Sequence, residues 1–328
     1  MKAALWAFAV LVLLGAAVYA AQALSPWPAA LFYRVLMDRG GDGLSRALAR
    51  HVPGGVTAII DQRYAEDADA LLDVYHPAQG GAALATVVWL HGGGFFAGSK
   101  RQVGNYLRIL ASRGFTTVGV EYSIAPGANY PTPVRQANAA LGYLVHNAKR
   151  LRVDPRRLFL AGDSAGAQIA AQLANIISVP SYASAVGIAP SVSRSQLRGV
   201  VLYCGPYEAG LSKGKGLYGH FVGTSVWAYS GVRDPEKRRL NPEFSVGRFV
   251  TPAFPPAFIS AGNGDPLLAH SRLLAEALAK QGVKVETLFF PDGLQPPLPH
   301  EYQFNLDHEA GRLALERSVG FLTRHAGR

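Results

Sequence analysis

Cysteine is all but absent. The 328-residue chain holds one, Cys204, so no internal disulfide can form. The same scarcity removes the Cys/His spacings of zinc sites. Cys204 ends the apolar run Val200-Val201-Leu202-Tyr203-Cys204, which reads as a buried strand with an inert thiol. No cysteine follows the apolar N-terminus, which excludes a lipobox anchor, and no Gly-Lys-Ser/Thr loop offers a cradle for nucleotide phosphates. Charge is scarce too: 16% of residues are charged against 49% hydrophobic, a balance that excludes disorder. Acids are the scarcer sign, 22 against 32 basic residues, for a net charge of +10. The basic residues gather at Lys149, Arg150, Arg152, Arg156 and Arg157, and at Arg233, Lys237, Arg238 and Arg239. Neither group sits in a nucleic-acid-binding motif, which leaves a solvated basic surface, or contact with anionic lipid or a cell-envelope polymer. No repeat or low-complexity tract is present.

Residues 3–23 carry no charge at all. A stretch of that length fits a membrane anchor, and equally a signal peptide cut after Ala23, where Ala21-Gln22-Ala23 supplies small residues. The anchor is the favoured expectation, with the membrane as a partner through this segment. Either reading puts the rest of the chain outside the cytoplasm. Arg34, Arg39, Arg46 and Arg50 follow the segment and blunt the charge asymmetry that would orient it. The chain thus divides into an anchor or signal at 1–24, a helical or cap segment at 25–54, and an α/β domain at 55–328. Within the second segment, residues 29–37 read as an apolar helix closed by Arg39-Gly40-Gly41, lying on a membrane or over a site.

From residue 57 onward strand and helix patterns alternate. Branched, apolar runs predict strands at 57–64, 70–75, 86–90, 115–120, 158–161, 200–203, 257–260 and 285–289. Helical spacing predicts helices at 133–151, 165–177, 267–280 and 306–324. Such alternation implies a mostly parallel sheet covered on both faces. The aromatic, irregular stretch 205–256 interrupts the rhythm and reads as an inserted cap.

Gly162-Asp163-Ser164-Ala165-Gly166 joins a predicted strand to a predicted helix. This is the G-x-S-x-G turn, which exposes a serine hydroxyl at a sharp bend and makes Ser164 the candidate nucleophile; a plain helix cap is the bland alternative. A serine needs a base and an oxyanion site. Of the nine histidines, His300 lies in a loop after a strand, where a base belongs; His308, His270, His220 and His325 do not. Asp265, in Gly264-Asp265-Pro266, gives the order Ser…Asp…His and would hold the imidazole tautomer, with Asp292 as the rival acid. Upstream, His91-Gly92-Gly93-Gly94 follows a strand, and the backbone N–H groups of Gly93, Gly94 and Ala165 are the candidate oxyanion donors.

With HGGG upstream of GDSAG, the chain resembles the α/β-hydrolase fold and, within it, the hormone-sensitive-lipase-like esterases, over roughly residues 55–325. Tyr122-Ser123-Ile124-Ala125-Pro126 resembles a further family stretch, although Ser123 stands where arginine is usual. The resemblance implies a mostly parallel sheet with helices on both faces and an inserted cap roofing the pocket. It implies that His91 braces the glycine loop rather than reacts. The family usually shows glycine after the base, whereas Glu301 stands here. The expectation is a serine hydrolase of short- to medium-chain carboxylic esters, with a small-molecule substrate, no cofactor, no metal and no nucleic acid. Carbohydrate-ester deacetylation or feruloyl-ester cleavage, a serine peptidase, and a non-catalytic binding module on the same fold are the other readings.

Overall fold

The computed structural model describes residues 2–234 and 242–327; in the first helix the side chains at 2–4, 8, 11, 14 and 16–19 fall outside the description, as do Lys237, Arg238 and Arg239. Eight strands build one sheet: β1 Val56–Arg63, β2 Leu71–Pro77, β3 Leu84–Leu90, β4 Thr116–Val120, β5 Val153–Asp163, β6 Leu197–Tyr203, β7 Ala257–Ala261 and β8 Val285–Phe289. Their spatial order is β1-β2-β4-β3-β5-β6-β7-β8. β2 runs antiparallel to β1 and β4, and every other neighbouring pair is parallel.

The central strands bury both faces, so their sequences are continuous apolar runs rather than alternations. Val88, Leu90, Leu158, Leu160, Val200 and Leu202 point to one side, where helices α4 (Thr132–His146) and α6 (Ser164–Ser178) cover them. Val87, Trp89, Phe159, Ala161, Val201 and Tyr203 point to the other, beneath α3 (Lys100–Ala111). Crossover connections leave the C-terminal ends of β3, β5, β6, β7 and β8 along one edge, the position at which open α/β sheets hold ligands.

Several sequence expectations need correction. The helix expected over 133–151 breaks at Asn147 into α4 and the single turn α5 (Ala148–Leu151), and Arg152, at φ 55°, reverses the chain into β5. The stretch 205–256 is not structureless: it contains α8 (Gly216–Ser230), after the short α7 (Pro180–Val186). The apolar helix read over 29–37 does not stop at Gly40-Gly41 but runs as α2 over Trp27–Ala49. Tertiary contacts override the glycines here: Gln102 donates to Asp38 O and Asp42 Oδ1, and Asn105 to Ser45 O. Gln102 lies so close that a Cβ on Gly41 would meet it at 2.7 Å. The front of α2 packs on the site edge, with Tyr33 edge-on to Phe221 at 5.3 Å and Arg34 donating to the carbonyls of Phe96 and Ala125.

The N-terminal stretch is helical, α1 spanning Lys2–Leu24, and Leu5, Trp6, Val10, Val12 and Leu13 are exposed on it. Among the described residues no helix is long and apolar enough to cross a membrane, so the spanning anchor expected there finds no support.

Candidate active site

β5 ends at Asp163 and α6 begins at Ser164 with no residue between them. Ser164 takes the left-handed conformation, φ 48°, which a β-carbon resists. Its flanking glycines are compulsory. A Cβ on Gly166 would collide with the carbonyls of Leu90 and His91, and one on Gly162 would lie 2.6 Å from the Gly166 carbonyl carbon. Strand, bend and helix therefore pack against the end of β3 and push the Ser164 hydroxyl into a cavity.

The remaining candidates converge there. His300 Nε2 lies 3.0 Å from Ser164 Oγ, and His300 Nδ1 lies 2.9 Å from Asp265 Oδ2. Asp265 follows β7 and is buried; its other oxygen accepts from Leu267 N at 2.7 Å, which fixes the carboxylate plane. The two loops are tied by Asn263, which accepts from Leu298 N and donates to Leu294 O. A carboxylate on Nδ1 selects the tautomer with a bare Nε2, the form that can accept the serine proton. Burial works against an imidazolium at His300, and the Asp265 and Glu301 carboxylates pull the other way. Burial pushes the Cys204 thiol up to about 11, so it is neutral at pH 7.

β3 feeds the glycine loop. Gly93 (φ 118°) has no room for a Cβ against Ala97 O, and Gly94 (φ 58°) turns the chain toward Ser164. Gly94 and Ala165 line the cavity together with Ser164 and His300; Gly93 lies behind them and does not line it. His91 is buried, stacks on Tyr122 at 4.2 Å, and donates from Nδ1 to Gly92 O and from Nε2 to Glu121 Oε1. Burial disfavours its charge, yet Glu121, Gly92 and Asp163 raise it above the usual histidine value. His91 does not touch Ser164; it ties the loop to β4.

Sequence reasoning passed over Asp163, whose position inside the G-x-S-x-G letters was the available signal. Its carboxylate accepts from Trp89 Nε1 at 2.7 Å and from Gly92 N at 2.8 Å, joining the glycine loop to the serine bend. Burial and the neighbouring Glu301 push it up to about 7, against the pull of Trp89, His91 and Gly92. The rivals lie elsewhere. Asp292 pairs with Arg272 on the surface, His308 caps the last helix (Glu309–His325), His220 bonds Tyr33, and His325 packs on Phe321. His270 is buried, and desolvation drops it to about 4.

The cavity, about 510 Å³, is walled by Phe95, Phe221, Val222, Val226, Tyr229, Phe244 and Leu267, with Met37 of α2 at one side. Among the described residues, one grouping carries metal-ligand types: Cys204, Asp265 and His300, within 4.8 Å of one another. Asp265 and His300 already bond each other and the thiol is protonated, so the grouping is a hydrogen-bonded pair beside a core thiol rather than a metal cradle.

Comparison with known proteins gives a consistent answer. A family model described as alpha/beta hydrolase fold matches residues 87–295. An acetyl esterase of Salmonella paratyphi A is 28% identical over 254 residues, covering 74% of this chain and 73% of that protein. The crystal structure of esterase B from Lactobacillus rhamnosis superposes with a TM-score of 0.75 at 24% identity, covering 90% of this chain and 96% of that one. A hyperthermophilic esterase from the archaeon Pyrobaculum calidifontis does so with a TM-score of 0.70 at 24% identity, covering 90% and 91%.

Proposed function

The chain belongs to the α/β-hydrolase fold family, as a hormone-sensitive-lipase-like carboxylesterase, and from that premise we propose that Ser164, His300 and Asp265 cleave short- to medium-chain acyl esters through an acyl-enzyme. Ser164 Oγ attacks the ester carbonyl as His300 Nε2 takes its proton. Asp265 holds the ring and stabilises the imidazolium. The N–H groups of Gly94 and Ala165, with Gly93 behind them, receive the tetrahedral oxyanion, and the positive end of α6 adds to their pull. His300 then protonates the leaving alcohol, and water repeats the cycle on the acyl-enzyme.

The observation that carries this reading is the unbroken run Ser164–His300–Asp265 at 3.0 and 2.9 Å, opening onto an apolar cavity. A cavity of about 510 Å³ suits an acyl group of modest length. The uncharged run 3–23, with Leu5, Trp6, Val10, Val12 and Leu13 exposed on α1, supports attachment to a membrane or an export signal, with the catalytic domain outside the cytoplasm. p-Nitrophenyl esters of increasing chain length test the activity, and a fluorophosphonate with mapping of the labelled peptide tests the nucleophile. Activity greatest on short chains, falling about 10⁴-fold or more in Ser164→Ala, is the expected result. Equal turnover by both proteins refutes the nucleophile; no turnover of any ester or amide favours a binding module.

A further inference from the structure

Glu301 has φ 58°, in the left-handed region that glycine enters without strain and other residues rarely adopt. A glutamate there is a costly choice. Its side chain, partly exposed, turns toward the site, where Oε1 lies 3.7 Å from His300 Nε2. The same oxygen lies 3.0 Å from where a Cβ on Gly92 would stand, so the glycine loop leaves room for it. Asp265 holds the opposite nitrogen of the ring. The imidazole thus has Asp265 hydrogen-bonded to Nδ1, Ser164 Oγ at 3.0 Å from Nε2, and the Glu301 carboxylate within ion-pair range of Nε2 but outside hydrogen-bond distance.

We propose that Glu301 is a positioning residue for His300, its carboxylate stabilising the imidazolium that forms when the Ser164 proton moves to Nε2. The inference rests on the acyl-enzyme reading above. The proton stays on Nε2 and passes to the leaving alcohol; Glu301 neither takes nor gives one. Strain retained at a functional residue is the pattern expected where a local conformation serves chemistry rather than stability.

The other groups facing this pair are Asp265 from the loop after β7, Cys204 from the end of β6, Tyr218 from α8, and Asp163 from the serine bend. Cys204 and Tyr218 are both raised by burial and are neutral near pH 7, which leaves Asp265, Asp163 and Glu301 as the acids around the ring.

The test compares Glu301→Gln, which removes the charge and keeps the shape, with Glu301→Gly, which also removes the strain. An opposite charge at this range raises a base by about one to three units, and partial exposure places Glu301 at the low end. Both variants are expected to move the acid limb of kcat/KM down by about one pH unit and to lower plateau kcat about three- to tenfold, with KM on neutral esters little changed. Glu301→Gly is also expected to melt higher than the parent. Superimposable pH profiles in all three proteins overturn the inference, as does a shift in the glycine variant alone, which would mark a role in loop geometry. Fluorophosphonate labelling of the parent separates the two readings. Label on Ser164 with unchanged profiles sinks only the role of Glu301, whereas label elsewhere sinks the acyl-enzyme reading and this inference with it.

Discussion

Replacing Asp163 with alanine tests whether the serine bend and the glycine loop are one mechanical unit. The side chain is 3% exposed and takes two N–H bonds, from Trp89 Nε1 and Gly92 N. Deleting it orphans both donors in the interior, at about 1–3 kcal/mol each, or roughly 2–6 kcal/mol together. The loss depends on pH, and its sign follows from the raised pKa. Asp163 titrates near 7 in the folded protein against 3.8 for the ordinary group, so the folded state binds its proton more tightly than the unfolded state does. The contribution of the protonated group is therefore fully present below pH 3.8 and is lost as pH rises through 7. From pH 5 to 8 the parent loses about 3 kcal/mol by this route, at 1.36 kcal/mol per unit. Alanine has nothing to titrate, so the gap between parent and variant is widest at pH 5 and narrows toward pH 8. Urea unfolding at both pH values reads the gap directly. The loosened loop should also cost kcat about 10²-fold while KM holds. A gap that widens with pH, or a variant within about 0.5 kcal/mol of the parent at pH 5 with normal kcat, would refute the argument.

Two further outcomes follow from the geometry. Asp265→Asn keeps the shape but offers the wrong group to Nδ1, so kcat should fall about 10⁴-fold with an unchanged melting temperature, checked by burst kinetics and calorimetry; a loss below tenfold would move the orienting role elsewhere. Lys100→Met strands the buried Asp73, which with Asp61 holds the ammonium at 2.6 Å. That change should destabilise by about 3–5 kcal/mol in a denaturant titration, and a near-neutral result would show that the carboxylates find other partners.

The motif residues and the sheet class were legible because they depend on local chemistry. Glycines 162 and 166 announce a close approach of backbones, and the structure shows the collision each avoids. The apolar runs of β3, β5 and β6 announce strands buried on both sides. Where the reading failed, a distant partner decided the outcome. Nothing near Gly40-Gly41 says that Gln102 and Asn105 will hold α2 through them. Nothing in the aromatic stretch 205–256 marks α8 as a helix that lays Phe221, Val222 and Val226 along the cavity. Asp163 drew no role from the sequence because its partners are 74 and 71 residues away. Glu301 was visible only as a departure, since its meaning lies in a dihedral angle.

That dihedral belongs to a pattern. Among the described residues, six non-glycine positions have positive φ: Asp61, Phe95, Arg152, Ser164, Cys204 and Glu301. Four of them crowd one edge of the sheet. Phe95 and Ser164 line the cavity, Cys204 sits within 4.8 Å of Asp265 and His300, and Glu301 approaches His300 Nε2. At about 1–3 kcal/mol each, their combined strain rivals the net folding free energy of an ordinary domain. It persists only because the strands beneath are buried on both faces and cannot relax in step with the loops they carry. The sheet is therefore more than a platform: its rigidity is what lets the bend after β5 and the loops after β3, β6 and β8 remain in conformations that each would abandon alone. Substitutions that soften β5 or β6, far from Ser164, should release that strain and degrade the alignment of the site before they unfold the chain.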